Sequence, residues 1–288
     1  MGHLADGGGR LLGLSHNELV AFESDRALQD RIAERLGRDM QDAAALALRG
    51  RRRLHRGEYE PAVADLAASF DARPDPGVRR LLVQALLDGL RFNYSRYAQQ
   101  ATRLENLLVS SDEQLAFRRL RAAGLSRTGR VVEAFDEYLK LRQPNGSSSG
   151  SGESTGQQAD IAQRGRLEAI DEDLSVRRIR WLASRLSEVD ARTGDQKKTA
   201  LAARRQRLFE EAVAANGMSG TTALAEFLTL FNGHPVADRA RVKLLERLSE
   251  NAPVVERERL LLALRSGTDP VAAARATAAL ARLWSAQQ

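Results

Sequence analysis

Residues 42–74, DAAALALRGRRRLHRGEYEPAVADLAASFDARP, decide the fold. Two runs with helical periodicity flank Gly57, which can adopt the positive φ that ends a helix in a tight turn. Pro74 cannot continue the helix before it. Gly50 and Ala62 are small residues at positions where two antiparallel helices must approach closely. The stretch therefore predicts a helical hairpin.

The same pattern returns 72 residues later, with Gly129 in the turn and Ala134 and Tyr138 on the second helix. Because 72 is twice 36, a middle unit is expected between the two copies. That interval has large and small residues at compatible spacing: Leu81, Ala85, Tyr94, Ala101 and Leu104. Phe92 or Asn93 replaces its turn glycine, and Tyr97 takes its small position. The sequence thus predicts three consecutive hairpins.

These units resemble the tetratricopeptide repeat, a two-helix unit of about 34 residues. The first unit matches the family at its small, turn and terminator positions: Gly50, Gly57, Tyr59, Ala62 and Pro74. Arg53 stands at a usual aromatic site and Ser69 at a usual alanine site. The resemblance covers about 100 residues. It implies stacked helical hairpins whose concave surface holds a peptide or another protein.

The composition also favours helices. Hydrophobic residues make up 43% of the 288 residues but aromatic residues only 5%, whereas strands prefer β-branched and aromatic side chains. We predict an all-α fold, arranged as a two-lobed α-α superhelix with a short N-terminal β-hairpin.

Residues 145–158 contain no apolar side chain. Such a segment cannot bury enough surface to offset the entropy of ordering it. We therefore predict a β-hairpin at 1–24, tetratricopeptide-like helices at 25–144, a flexible Gly/Ser linker at 145–160, and a second helical-repeat lobe at 161–288.

A second repeat marks the last lobe. At an offset of 35 residues, Pro235-Val-Ala recurs as Pro270-Val-Ala, and Leu245-x-Arg247-Leu248 recurs as Leu280-x-Arg282-Leu283. Each proline suits the first position of a helix, with His234 or Asp269 as its cap. Leucine packing of this kind is similar to HEAT-like repeats. The apolar spacing in 161–189 predicts an amphipathic helix there.

Charge and cysteine content limit the functional classes. The net charge of +6 comes from 44 basic and 38 acidic residues that are interspersed, which disfavours nucleic-acid binding. The absence of cysteine excludes disulfides and thiol chemistry. No apolar run of about 18 residues could span a bilayer, and no export signal is apparent. The glycine-rich start is also compatible with the cut end of a longer chain.

The strongest charged feature is Arg49-Gly-Arg-Arg-Arg-Leu-His-Arg56. Helical geometry places Arg49, Arg52, Arg53 and Arg56 on one face. Such a face could bind phosphate or an acidic peptide. Aromatic side chains for base stacking are missing, and a solvated face is the favoured interpretation. Arg52, Arg53 and Arg56 are the candidate anion- or peptide-binding residues.

No catalytic, metal-binding or cofactor-binding constellation is apparent. We interpret His16 as a turn residue and His234 as a helix cap. An acidic cluster is interpreted as a solvated helix face: Glu168, Asp171, Glu172 and Asp173. Trp181 and Trp284 lie in leucine-rich periodic runs and are predicted to pack in the core.

Residues 11–23 predict two short strands around a Ser-His-Asn-Glu turn. The segment is similar to the closing hairpin of a blade in the pyrroloquinoline-quinone-type β-propeller family, whose strand pattern Leu19, Ala21 and Glu23 fit. A lone hairpin is marginal, and no other strands are expected in this chain. Bacterial envelope proteins of the planctomycete type join such propellers to tetratricopeptide-like helices. The resemblance implies an accessory helical segment without a quinone site.

The sequence therefore predicts a non-enzymatic helical-repeat scaffold that binds a protein or peptide. Two alternatives remain open: an accessory segment of a propeller protein whose function lies in the propeller, and anion or nucleic-acid binding through arginine faces. The first alternative places the chain in the cell envelope or periplasm, and otherwise the cytoplasm is expected. The N-terminal hairpin is expected to dock loosely on the first helices.

Overall fold

A computed structural model describes residues 3–7, 10–14, 19–142, 167–169, 175–248 and 252–285. Most of these residues are helical, which confirms the predicted all-α class. The chain forms two compact units, 1–120 and 121–288, and each is described by itself. The predicted linker at 145–160 lies outside the described residues, so its limits stay a prediction.

Three antiparallel strands form the N-terminal sheet: β1 His3–Gly7, β2 Arg10–Leu14 and β3 Leu19–Glu23. β2 is central, with Leu14 opposite both His3 and Leu19. The predicted hairpin is therefore part of a larger sheet, and the expectation of no further strands was wrong. β1 contains no β-branched or aromatic residue, so propensity did not mark it, and its pairing with β2 decides its conformation.

Seven helices begin in the described part of the first unit: α1 Asp25–Arg38, α2 Ala43–His55, α3 Tyr59–Ala72, α4 Pro76–Phe92, α5 Tyr94–Tyr97, α6 Ala101–Leu107 and α7 Ser111–Arg127. A 3₁₀ turn, Ala98–Gln100, joins α5 to α6. Side chains of Ser24, Asp42 and Asp75 accept hydrogen bonds from the first turns of α1, α2 and α4. These caps fix where the helices begin. The Arg31 guanidinium, 2.8 Å from Glu23, joins α1 to the sheet.

Gly50 sets the close approach of α2 to α3. A Cβ atom at this position would lie 2.7 Å from Cγ of Leu66, closer than real Cβ contacts come. Ala45 and Ala62 are fully buried in the same hairpin. The prediction that small residues permit the approach is therefore confirmed at its central position.

Both predicted turn glycines have the left-handed backbone that the turn needs. Gly57 and Gly129 each have φ of +75°. The amide after each glycine donates to a carbonyl five residues back, from Glu58 to Arg53 and from Arg130 to Leu125. This is the Schellman arrangement, which satisfies the last carbonyls of a helix.

The middle unit departs from a regular hairpin. Its second half is divided among α5, the 3₁₀ turn and α6. A Cβ atom at Gly89 would lie 2.6 Å from the ring of Tyr97. The large residue at the predicted small position is thus accommodated by a glycine on the other helix.

The described second unit contains the end of α7, α8 Val131–Lys140, β4 Leu167–Ala169, β5 Ser175–Arg177, α9 Arg178–Ala191, α10 Asp195–Ala214, α11 Gly217–Phe231, α12 Val236–Arg247, α13 Val254–Arg265 and α14 Pro270–Ser285. α14 begins at Pro270, which confirms its predicted first position, whereas Pro235 precedes α12 as its cap residue, so the same prediction was wrong for Pro235. The Asp269 carboxylate accepts from the amides of Val271 and Ala272, which confirms it as a cap.

The amphipathic helix predicted over 161–189 was wrong at 167–169 and 175–177. β4 and β5 form an antiparallel pair, with Leu167 opposite Arg177, and the helix begins only at Arg178. Asp171 and Asp173 stand between the strands in sequence, and aspartate favours turns over helix interiors. The apolar spacing alone did not reveal this competing preference.

Aromatic rings form part of the core of the second unit. Phe227 lies between Phe209 and Phe231, at centroid distances of 5.9 and 5.0 Å. Trp181 packs edge-on against Tyr138, consistent with its predicted packing role. Trp284 does not share that role, because it is 42% exposed and its Nε1 donates to Glu258. The leucines near Trp284 in the sequence are buried more deeply than the tryptophan.

Candidate functional site

A groove of about 1190 Å³ lies in the second unit. The alternate helices α10, α12 and α14 supply most of its lining, and α13 contributes at its base. Every residue that lines it belongs to this unit. Its volume exceeds the usual range of about 300–1000 Å³ for small-molecule pockets.

The groove exists because α14 packs on α13 far more extensively than either helix packs on α12. Small side chains cover the face of α14 toward it: Ala272, Ala276 and Ala279. Alanine at these positions leaves unfilled the space that leucine would occupy. In the terminal hairpin, α13 and α14 therefore pack tightly against each other, and a gap separates α14 from α12.

The floor of the groove is apolar. Phe209, Leu261, Leu264 and Ala276 are buried, so they hold the walls together. Val271 is 57% exposed at the edge. Other apolar residues line the groove while only partly buried: Val242, Leu245, Ala272, Ala279 and Leu283. Their remaining exposed surface would leave water on contact with an apolar ligand.

The rim of the groove carries both signs of charge, but most carboxylates there have internal partners. The Glu246 carboxylate is 2.7 Å from Nζ of Lys243. Asp238 is buried and accepts from Arg241 and from the amide of Thr268. Asp269 caps α14.

The basic side chains of the rim differ in their contacts, since Lys243 pairs with Glu246 and Arg257 also has a partner. Arg239 donates to the side-chain oxygen of Gln206 and lies 4.9 Å from the ring centre of Phe209. Arg275 and Arg282 are exposed and have no partner among the described residues. The potential available to a ligand is therefore positive along α14.

The equivalent arginines of the two repeat copies, Arg247 and Arg282, have different contacts. Arg247 at the end of α12 donates to the carbonyls of Ala212, Val213 and Ala215, where α10 ends. Guanidinium groups favour such carbonyls because they carry the negative end of the helix dipole. Arg282, 35 residues later, lines the open groove instead.

The structure places the sequence-predicted residues Arg52, Arg53 and Arg56 in contacts between helices. Arg52 donates two hydrogen bonds of 2.7 Å to the carboxylate of Asp25, which also accepts from Arg56 at 2.9 Å. The Arg52 hydrogen bond lowers the pKa of Asp25, and Arg56 adds to this effect. Whether these residues bind an added anion stays a prediction.

Arg53 has a different partner, the buried carboxylate of Asp65. Arg53 donates to Asp65 at 2.7 Å, and Arg49 donates two further hydrogen bonds at 2.7 and 2.8 Å. The side chain of Asp65 is only 6% exposed. Its hydrogen bonds raise the pKa of Arg49. These bonds clamp α3 onto α2.

His234 lies in a partly buried charged network. Its Nε2 is 2.8 Å from a guanidinium nitrogen of Arg205, which also donates to Asp190. Arginine only donates, so Nε2 must accept and the proton of the neutral ring lies on Nδ1. Burial, followed by the charge of Arg205, lowers the pKa of His234. With its proton on Nδ1, the ring cannot accept from the amide of Val236, which lies 3.5 Å away, so the predicted role of His234 as a helix cap was wrong.

Other predicted features fall partly outside the described residues. Of the acidic cluster, Glu168 lies on β4, and the other three members are not described. His16 is not described either. In the part of the chain that is described, no group of three or more histidines and carboxylates could hold a metal ion. The described helices include none that is both long and apolar enough to cross a membrane.

No family model, curated protein or solved structure matches this chain.

Sequence reasoning missed the groove. Its clearest signal is the series of alanines on α14 at helical spacing, which breaks the leucine periodicity of the repeat. The densest positive charge in the sequence lies on α2 instead, where carboxylates of facing helices neutralise the arginines.

Proposed function

We propose that this protein is a non-catalytic helical-repeat scaffold, and that the groove of the second unit binds a segment of a partner protein. The observation that carries the proposal is the groove itself, with an apolar floor and a charged rim in a volume of about 1190 Å³. Protein interfaces have this organisation, in which an apolar centre contributes affinity and a polar rim contributes specificity.

The groove suits an α-helix or a short extended peptide. A helix about 10 Å across would fill its volume over about 15 Å, or roughly ten residues. Helix-in-groove recognition uses apolar anchors at i, i+3, i+4 and i+7, and the exposed parts of Val242, Val271 and Leu283 offer apolar contacts for them.

The proposed repeat architecture is tetratricopeptide-like in 25–144 and HEAT-like in the later helices. The shared Schellman turns at Gly57 and Gly129 and the glycine contact of α2 with α3 support the first assignment. The prolines at the starts of α12 and α14 support the second. Stacked hairpins of both kinds present extended binding surfaces.

The test is selection of a displayed random-peptide library on the full chain, followed by affinity measurement for the enriched peptides. The groove variant combines Val271→Ser with Ala279→Gln, which removes apolar contact area while keeping the helix intact. The matched control combines Val255→Ser with Ala281→Gln at exposed positions outside the groove on α13 and α14.

We expect the groove variant to weaken binding of the enriched peptides by about tenfold or more, and the control to leave it unchanged. Equal binding to both variants, or no enrichment at all, would contradict the proposal. Matching urea denaturation curves for the two variants would show that both are folded.

A second proposed function is that of an accessory segment of a β-propeller envelope protein. The three-stranded antiparallel sheet of β1, β2 and β3 favours it, because a propeller blade is a four-stranded sheet of this kind. Blade-like strands encoded in frame upstream of Met1 would support this function. A stop codon and ribosome-binding site directly upstream would contradict it.

A further inference from the structure

We propose that the groove selects an acidic amphipathic helix, whose apolar face lies on the floor and whose carboxylates pair with Arg275 and Arg282. This inference rests on the proposed peptide-binding function and adds the chemistry of the partner. It follows from the arrangement of charges on the described rim.

The unpaired charges on α14 are positive. The Lys243 ammonium and the Glu246 carboxylate neutralise each other, and Asp269 is hydrogen-bonded to the start of α14. Arg275 and Arg282 have no carboxylate or carbonyl partner in the described residues. Beside α14, carboxylates of a partner would therefore meet unpaired guanidinium groups, and cations would be repelled there. On α10 the Glu210 carboxylate also lines the groove and accepts from the neutral amide of Gln206.

The spacing of these two guanidinium groups matches that of side chains on a partner helix. Arg275 and Arg282 are seven residues apart on one helix, so they lie on the same face, about 10.5 Å apart along its axis. A helix that runs beside α14 presents residues i and i+7 at the same separation. Two Glu residues seven apart would thus reach both arginines at once.

The other copy of the repeat shows what an arginine at this position binds. Arg247, the counterpart of Arg282, binds three carbonyl oxygens at the end of α10. A guanidinium at this position of the repeat therefore has acceptors when a neighbouring helix is close enough to provide them. Across the open groove, α12 does not pack closely enough on α14 to provide such acceptors to Arg282, and an acidic helix bound there would supply them.

The side chains that line the groove favour a peptide over a nucleic acid. A nucleic acid would need exposed aromatic rings for base stacking. Phe209, the aromatic residue of the lining, is 4% exposed and covered by Arg239. The floor is otherwise aliphatic. An apolar peptide face therefore fits the floor better than bases do.

The experiment measures fluorescence anisotropy of labelled peptides with the full chain. The acidic probe is an amphipathic helix of about 16 residues with leucines at i, i+3, i+4 and i+7 and glutamates seven apart on both flanks. A basic probe replaces each Glu with Lys. A third probe keeps the glutamates but redistributes the leucines around the helix. A thymidine oligonucleotide serves as the nucleic-acid probe.

The rim variant is Arg275→Glu with Arg282→Glu. Its matched control is Arg207→Glu with Arg265→Glu, which makes the same change of charge at exposed positions of the unit outside the groove. We expect the acidic probe to bind at least about tenfold more tightly than the basic probe. The rim variant should weaken it about tenfold, the control less than about twofold, and added salt should reduce the difference.

The outcomes separate this inference from the function on which it rests. If acidic and basic probes bind equally, and Val271→Ser with Ala279→Gln weakens both, the peptide-binding function stands and the acidic selectivity is wrong. If no probe binds, while no library peptide requires the groove, both are wrong. Equal binding of the redistributed probe, or tighter binding of the oligonucleotide, would show recognition of charge alone and overturn the amphipathic helix.

Discussion

The α2–α3 hairpin and the α12–α14 groove use similar helices with opposite results. In the hairpin, Gly50 lies against Leu66, and four of the five arginines of the Arg49–Arg56 segment pair with Asp25 or Asp65. In the groove, alanines leave space, and Arg275 and Arg282 have no partner in the described structure. A dense run of charge in the sequence thus marks a contact between helices, while two isolated arginines mark the open surface. An arginine is available to a ligand only where the facing helix presents no carboxylate or carbonyl that pairs with it.

The largest expected effect tests how tightly each region is packed. Gly50→Leu would place a side chain where a single Cβ already falls 2.7 Å from Leu66, so it should destabilise the protein by about 3 kcal/mol or more. Ala279→Leu extends into the groove and should change the free energy of unfolding by less than about 1 kcal/mol. Urea denaturation measures both. Similar losses in the two variants would mean that the groove is as closed as the hairpin.

The next effect tests the buried charge of the hairpin. Removing one partner of a buried ion pair costs about 3–5 kcal/mol, but Arg49 and Arg53 are about a third exposed, so water offsets part of the loss. We expect Asp65→Ala to destabilise the protein by about 2 kcal/mol. Asp25→Ala removes an exposed carboxylate and should have a much smaller effect. If Asp25→Ala lowered the free energy of unfolding more than Asp65→Ala, Asp65 would not be the main electrostatic contact of the hairpin.

The third effect compares the repeat-equivalent arginines. Arg247→Ala removes charge-assisted hydrogen bonds to the end of α10 and should cost about 1–2 kcal/mol. Arg282→Ala removes no hydrogen bond or ion pair of the described residues and should leave the urea midpoint unchanged. A comparable loss for Arg282→Ala would show that this side chain has a structural partner, and the acidic-helix inference would lose its basis.

The smallest effect concerns His234. Its pKa is lowered in the folded state, so the unfolded chain takes up a proton first as the pH falls below the ordinary value of about 6.5. Stability from this group is therefore complete above that pH and declines as the pH falls through the lowered pKa. His234→Gln should flatten this part of the stability curve, measured from pH 7.5 to 5. His55→Gln is the exposed control and should keep the slope.

Much of the local structure could be predicted from the sequence because it depends on chemistry within a few residues. Gly57, Gly129 and Asp269 act through backbone conformation or hydrogen bonds to the next turn, and each is where the sequence placed it. β1 and the β4–β5 pair were missed because their pairing overrides weak local preference. The groove was missed for another reason. It depends on which helices fail to meet, and no single residue of α14 encodes that.

The weak packing of α12 against the terminal hairpin has a consequence for cooperativity. In repeat proteins the coupling between neighbouring units determines whether they unfold together. The α13–α14 hairpin should therefore open as its own unit, and its amide hydrogens should exchange at a lower free energy than those of α11. A helix bound in the groove would bridge the gap and couple this hairpin to α12. Binding should then slow amide hydrogen exchange throughout α13 and α14, including residues that do not contact the bound helix.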